Sequence, residues 1–77
     1  MQEQNSYRYY TKVYNTFVDE LGIEPDKYER EDAFFGIITD VENGINEKEA
    51  IMKAFDLVHS VDINEETYDT CMKKCTG

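Results

Sequence analysis

The side chains able to do chemistry are few in kind. They are two cysteines, Cys71 and Cys75, one histidine, His59, and seventeen carboxylates. A thiol paired with an imidazole is the only nucleophile arrangement that these types allow. Cys71 and Cys75 stand four apart, which puts both on one helix face together with Tyr68 and Met72. His59 belongs to the edge of a different stripe, near Phe55 and Met52. Three ligands without a Cys-x-x-Cys pair make a poor zinc set. Both thiols therefore read as small core residues, reduced rather than bridged, since a bridge at that spacing would strain a helix. There is no Gly-rich phosphate loop, and carboxylate pairs can be found in any chain this acidic. The sequence predicts a non-catalytic protein with no cofactor and no metal.

The stretch Asp40-Val-Glu-Asn-Gly-Ile-Asn-Glu-Lys-Glu has the look of a calcium loop, but its spacing is wrong. An EF-hand needs oxygen ligands at positions 1, 3 and 5, Gly at 6 and Glu at 12. Counted from Asp40, position 6 is Ile45 and position 12 is Ile51. With Gly44 placed sixth, the first residue is Thr39 and the twelfth Ala50. A helix stop followed by a fresh helix cap accounts for every residue in the stretch.

Helices must position these groups. Tyr10, Val13, Tyr14, Phe17, Val18 and Leu21 recur at spacings of three and four, predicting a helix over 6–21, with Tyr7 extending the stripe. Asn5 or Ser6 suits its start and Gly22 its end. Pro25 and Asp26 open a second helix, with Glu29 at the capping-box position and Phe34, Ile37, Ile38 and Val41 on its core stripe. Gly36 in mid-helix implies either a close neighbour or a break, and a break would let 34–41 be a strand. Asn46, with Glu49 three residues on, caps a third helix. Its face carries Ile51, Ala54, Phe55, Val58 and Val61, widened by Ala50 and Leu57. Asp62 or Asn64 starts a fourth, with Tyr68, Cys71, Met72 and Cys75 inward and Lys73 and Lys74 at its C-terminal end. The links 22–25, 44–46 and 61–64 are short, which favours antiparallel neighbours. The expected fold is all-α: a compact bundle of three or four short antiparallel helices, one domain over 1–77.

Composition narrows the function. The 77 residues are 40% hydrophobic, too apolar for a disordered acidic tail. A core this small has little stability to spare, so a homodimer or a partner could matter to it. Net charge is −9. Residues 1–18 carry +1, residues 19–69 carry −12, and residues 70–77 carry +2. Direct contact with nucleic acid or with an anionic membrane needs clustered Lys and Arg, and is not expected. No apolar run approaches ~20 residues and the N-terminus lacks a signal pattern, so the expected compartment is the cytoplasm.

A solvated face would intersperse both signs of charge, and the middle of this chain does not. Self-repulsion costs stability, so a benefit such as solubility or partner choice is expected. Tyr28 and Phe35 flank the acids of the second helix, seven apart with Asp32 between them. Such aromatics make good interface anchors when exposed, although completing a wide core contact is the more ordinary role.

Small size, four-helix patterning and a one-signed acidic middle resemble phage-encoded host-takeover proteins of the DNA-mimic type. That resemblance implies carboxylates standing in for phosphates in the basic groove of a DNA-binding or nucleic-acid-processing protein. It nominates Glu24, Asp26, Glu29, Asp32, Asp40, Glu42, Glu47 and Glu49 for partner binding, with Phe35 beside them. The mildly basic ends depart from a uniformly acidic mimic. Two alternatives stand: an adaptor docking through Tyr28 and Phe35, and an immunity-type antidote to a basic toxin.

If the thiols are reduced and no metal is held, neither a reductant nor EDTA should move the melting temperature. A shift of more than a degree or two with either reagent, followed by circular dichroism, would refute this.

Overall fold

The apolar stripes, the caps and the left-handed stops together build four helices. The computed structural model describes residues 2–76, with side chains from Tyr7 to Cys75. Its helices are α1 (Gln2–Leu21), α2 (Lys27–Glu42), α3 (Glu47–His59) and α4 (Glu65–Thr76). No strand occurs among the described residues, and 34–41 is helical. The fold is an all-α bundle.

Each boundary has a local cause. Helix α1 starts at Gln2, so Asn5 and Ser6 are interior to it and do not cap it. Gly22, at φ 70°, ends it, and the N–H groups of Gly22 and Ile23 both donate to Val18 O. At α2 the capping box forms in full: Glu29 N–H donates to Asp26 Oδ1 at 2.9 Å, and Asp26 N–H to Glu29 Oε1 at 3.0 Å. Such a cap contributes about 1 kcal/mol. Gly44, at φ 92°, closes α2, with Ile45 N–H on Asp40 O at 2.9 Å. Asn46 caps α3 through Lys48 N–H rather than that of Glu49. Asn64, not Asp62, caps α4 through Thr67 N–H at 2.8 Å.

The core is aromatic at its centre. Phe55 of α3 is completely buried and stacks on Tyr14 and Phe17 of α1, with ring centroids 5.3 and 5.6 Å away. Tyr68 of α4 tilts against Phe17 at 5.7 Å. Such ring pairs add ~0.5–1.5 kcal/mol beyond their burial. Val13, Ile37, Ile51 and Cys71 are the other large side chains that are fully buried, with Cys75 beside them. Both cysteines are free and buried.

Several positions differ from the expected stripes. Ala33 is fully buried, whereas Phe34 is only partly so, because a small side chain lets α2 approach its neighbours closely. Leu57 is 69% exposed rather than part of the α3 core face. Val61 lies beyond the end of α3, and Ile63 of the last connection is buried.

Helix α2 packs on both α3 and α1, and α1 also holds α4. Tyr7 meets Phe34 while Asn15 meets Arg30, so α1 and α2 run antiparallel. The last connection is not a tight hairpin. Lys48, at the start of α3, pairs with Glu65 at the start of α4 at 2.9 Å. Residues 60–64 therefore run back along most of α3, which the ~3.3–3.6 Å reach of each extended residue allows, and they deliver α4 to α1.

Gly36 neither breaks α2 nor admits a close neighbour, since a Cβ there would meet nothing within 4 Å. Gly36→Ala should therefore stabilise the protein by about 1 kcal/mol. A rise of roughly 4–8 °C in melting temperature is expected for a domain of this size. An unchanged or lowered melting temperature would mean that the position does more than continue the helix.

Candidate partner-binding surface

Helix α2 has apolar side chains on two sides. Ala33, Ile37 and Ile38 face the core, while Tyr28 and Phe35 point the other way, 77% and 50% exposed. The ordinary expectation that these two aromatics complete the core is therefore overturned. The reason is geometric: α1 and α3 already cover the inner side of α2, and among the described residues no helix lies against the outer side. Phe35 meets Phe34 edge-on at 5.6 Å, and Phe34 in turn meets Tyr7. A cleft of about 250 Å³ opens beside it between α1 and α2, lined by Tyr14, Asn15, Arg30, Glu31, Phe34 and Phe35 among others.

The nominated carboxylates divide into two groups. Asp26 and Glu29 bind each other's backbone in the capping box. Asp40 is half-buried and lies 3.9 Å from Lys53. Glu47 accepts hydrogen bonds from Tyr10 Oη at 2.8 Å and Tyr9 Oη at 3.3 Å. Those four carry structural duties. Glu24, Asp32, Glu42 and Glu49 are exposed, with no hydrogen bond or ion pair to another described residue. Glu31, which neither the cap nor the stripe pattern singles out, is likewise exposed and lines the cleft. Asp32, Glu42 and Glu31 thus share the outer side of α2 with Tyr28 and Phe35.

Three hydrogen bonds, two at Glu47 and one at His59, tie α1 to α3 and are not foreseeable from spacing, since their partners lie 37 or more residues apart. Burial, then the charge of Glu47, pushes the Tyr9 phenol up to about 12. The Tyr10 phenol is raised by burial and by its bond to Glu47. Tyr14 Oη lies 2.8 Å from His59 Nε2. Burial lowers the His59 pKa, Glu29 pulls it back up, and Arg30 lowers it further. In the neutral tautomer with its proton on Nδ1, His59 Nε2 is an acceptor for the Tyr14 hydroxyl; the tautomer sets the direction of this bond. The Tyr14–His59 pair is only partly enclosed: Tyr14 also lines the α1/α2 cleft, and His59 lines a second cleft with Ile23, Glu24, Glu29 and Val58.

No family model matches the chain, and neither a curated protein nor a solved structure matches it. The α2 face is thus the ground for a functional reading.

The His59 contact gives a pH dependence. Its folded pKa lies below the ordinary ~6.5, so its contribution is present above that value and is lost as pH falls toward the folded pKa. His59→Gln keeps an acceptor for Tyr14 without titrating. Between about pH 7.5 and 5, wild type should lose melting temperature relative to His59→Gln. Parallel curves would show that the contact does not depend on neutral imidazole.

Proposed function

We propose that this protein is a non-catalytic binding protein that docks the outer side of α2 on a basic surface of another protein, one that otherwise holds nucleic acid. The supporting observation is the pair Tyr28 and Phe35, exposed in the middle of unpaired carboxylates. Burying aromatic rings supplies affinity, while Glu31, Asp32 and Glu42 steer the encounter and choose a cationic partner. A carboxylate meeting a partly desolvated Arg contributes about 1.5–3 kcal/mol, whereas an isolated rim charge adds little. A few good contacts beside two aromatic anchors suffice for useful affinity. The −12 balance of residues 19–69 gives the face the sign of a phosphate backbone. Occupying a nucleic-acid site would inhibit the partner.

An adaptor that docks by its aromatics alone is the second reading, favoured by the exposure of Tyr28. Salt and competing DNA separate the two. In pull-downs from cell lysate, the inhibitor should lose its partner as salt rises and should exclude DNA from it. The triple reversal Glu31→Lys, Asp32→Lys and Glu42→Lys avoids the capping box and the Asp40–Lys53 pair, so it should stay folded. It should weaken binding at least tenfold, about 1.4 kcal/mol. Full binding by that variant, with Phe35→Ala abolishing it, would establish the adaptor instead. Loss of salt dependence with no competition by DNA would remove the inhibitory role.

A further inference from the structure

The exposed side of α2 has a period of its own. Tyr28, Asp32, Phe35, Thr39 and Glu42 follow one another at spacings of four, three, four and three, and all five are exposed. Positions at that spacing stay on one side of a helix, the side that a second helix lying alongside would meet, and Tyr28 and Phe35 are its two apolar members. Fourteen residues of α2 separate its ends, a length of about 21 Å or four turns. The core stripe of α2, built on Ala33, Ile37 and Ile38, is a separate line. A helix needs only one such line to join its own bundle, and α2 carries two.

The charge on the second line selects what lies against it. Asp32 and Glu42 are on it and Glu31 is beside it, while the two bases of α2, Lys27 and Arg30, are both off it. Arg30 is turned toward α1, bonded to Asn15 Oδ1 at 3.2 Å and lying over the Tyr14 ring. A second copy of this chain would bring two acidic blocks together. We infer that the outer seam of α2 receives a cationic amphipathic helix of the partner. Its apolar side chains pack on Tyr28 and Phe35, and its Lys or Arg side chains meet Asp32 and Glu42. This rests on the docking function proposed above and specifies the element that docks. Helix-on-helix recognition of this kind reads anchors at i, i+3, i+4 and i+7 on the incoming segment.

The test uses the full-length protein, labelled with ¹⁵N, and three synthetic peptides of about four turns. The first has Leu along one helical seam, flanked by Lys and Arg. The second has the same composition with a central Pro, which breaks the helix. The third replaces the bases with Glu. The first peptide should shift amide resonances along α2, most strongly at Tyr28, Asp32, Phe35 and Thr39. The second and third should bind at least about tenfold more weakly, a difference of 1.4 kcal/mol. Phe35→Ala and Asp32→Lys, both at exposed positions and checked for retained helix, should each weaken the first peptide to a similar degree. Equal binding by the Pro peptide would overturn the helical occupant. So would shifts centred on the α1/α2 cleft or on Leu57, or no binding at all. If the peptides fail while a DNA-competing partner still depends on Asp32 and Phe35, the docking function survives and the helical occupant falls. If the first peptide binds as described but no partner competes with DNA, the seam stands and the inhibitory role falls.

Discussion

Phe55 is completely enclosed, with Tyr14 and Phe17 stacked on it and His59 one turn away. That contact sets how α1 lies on α3. Once it forms, the polar links on either side are fixed by helix geometry. Tyr10 arrives at Glu47, two turns before Phe55, and Tyr14 at His59, one turn after it. A bundle of this size has room for few such centres. Here one ring of α3 carries two rings of α1; α4 packs on α1, and α2 packs on both α3 and α1. The polar links add direction more than strength, because hydrogen bonds between proteins and water are largely exchanged on folding.

How much of this is legible in the sequence depends on the range of the physics. Caps and stops act within a few residues, so Asp26 with Glu29, Gly22 and Gly44 are readable from residue type and position. The sequence leaves Asp62 and Asn64 as equal candidates for the α4 cap, however, and places the start of α1 too late. Stripe membership is legible for α1, where six positions agree with one period. It fails at Leu57 and at Ala33, because which edge of a stripe is covered depends on where neighbouring helices lie. It fails for Ile63 because the route of a connection has no period to read. Gly36 misleads, since a residue that weakens an isolated helix is tolerated once both neighbours hold that helix in place.

The surface is legible in sign and not in duty. Composition locates the acidic middle, yet four of the nominated carboxylates have structural partners, and each partner is either a backbone group in the same turn or a side chain on another helix. Part of the like-charge repulsion is thus converted into contacts that shape the fold. The remaining carboxylates stand beside exposed rings, and that coincidence carries more information than the charge total. The second line on α2 is present in the spacing alone, but it is easily mistaken for a widening of the core stripe, because both lines share one helix and both carry aromatic side chains.

The path of residues 60–64 has a kinetic consequence. Because α4 docks on α1, its closing contacts reach across most of the chain, with Lys74 Nζ 2.6 Å from Glu20 Oε2, 54 residues away. Helices α2 and α3 meet across a short link and can pair early, whereas α4 must wait for a large loop to close, at an entropic cost that grows with loop length. Release of α4 would uncover Cys71 and Cys75, whose burial otherwise keeps them from solvent. The rate at which a thiol reagent labels the native protein then becomes a clock for the opening of one helix, built into the chain without any added probe.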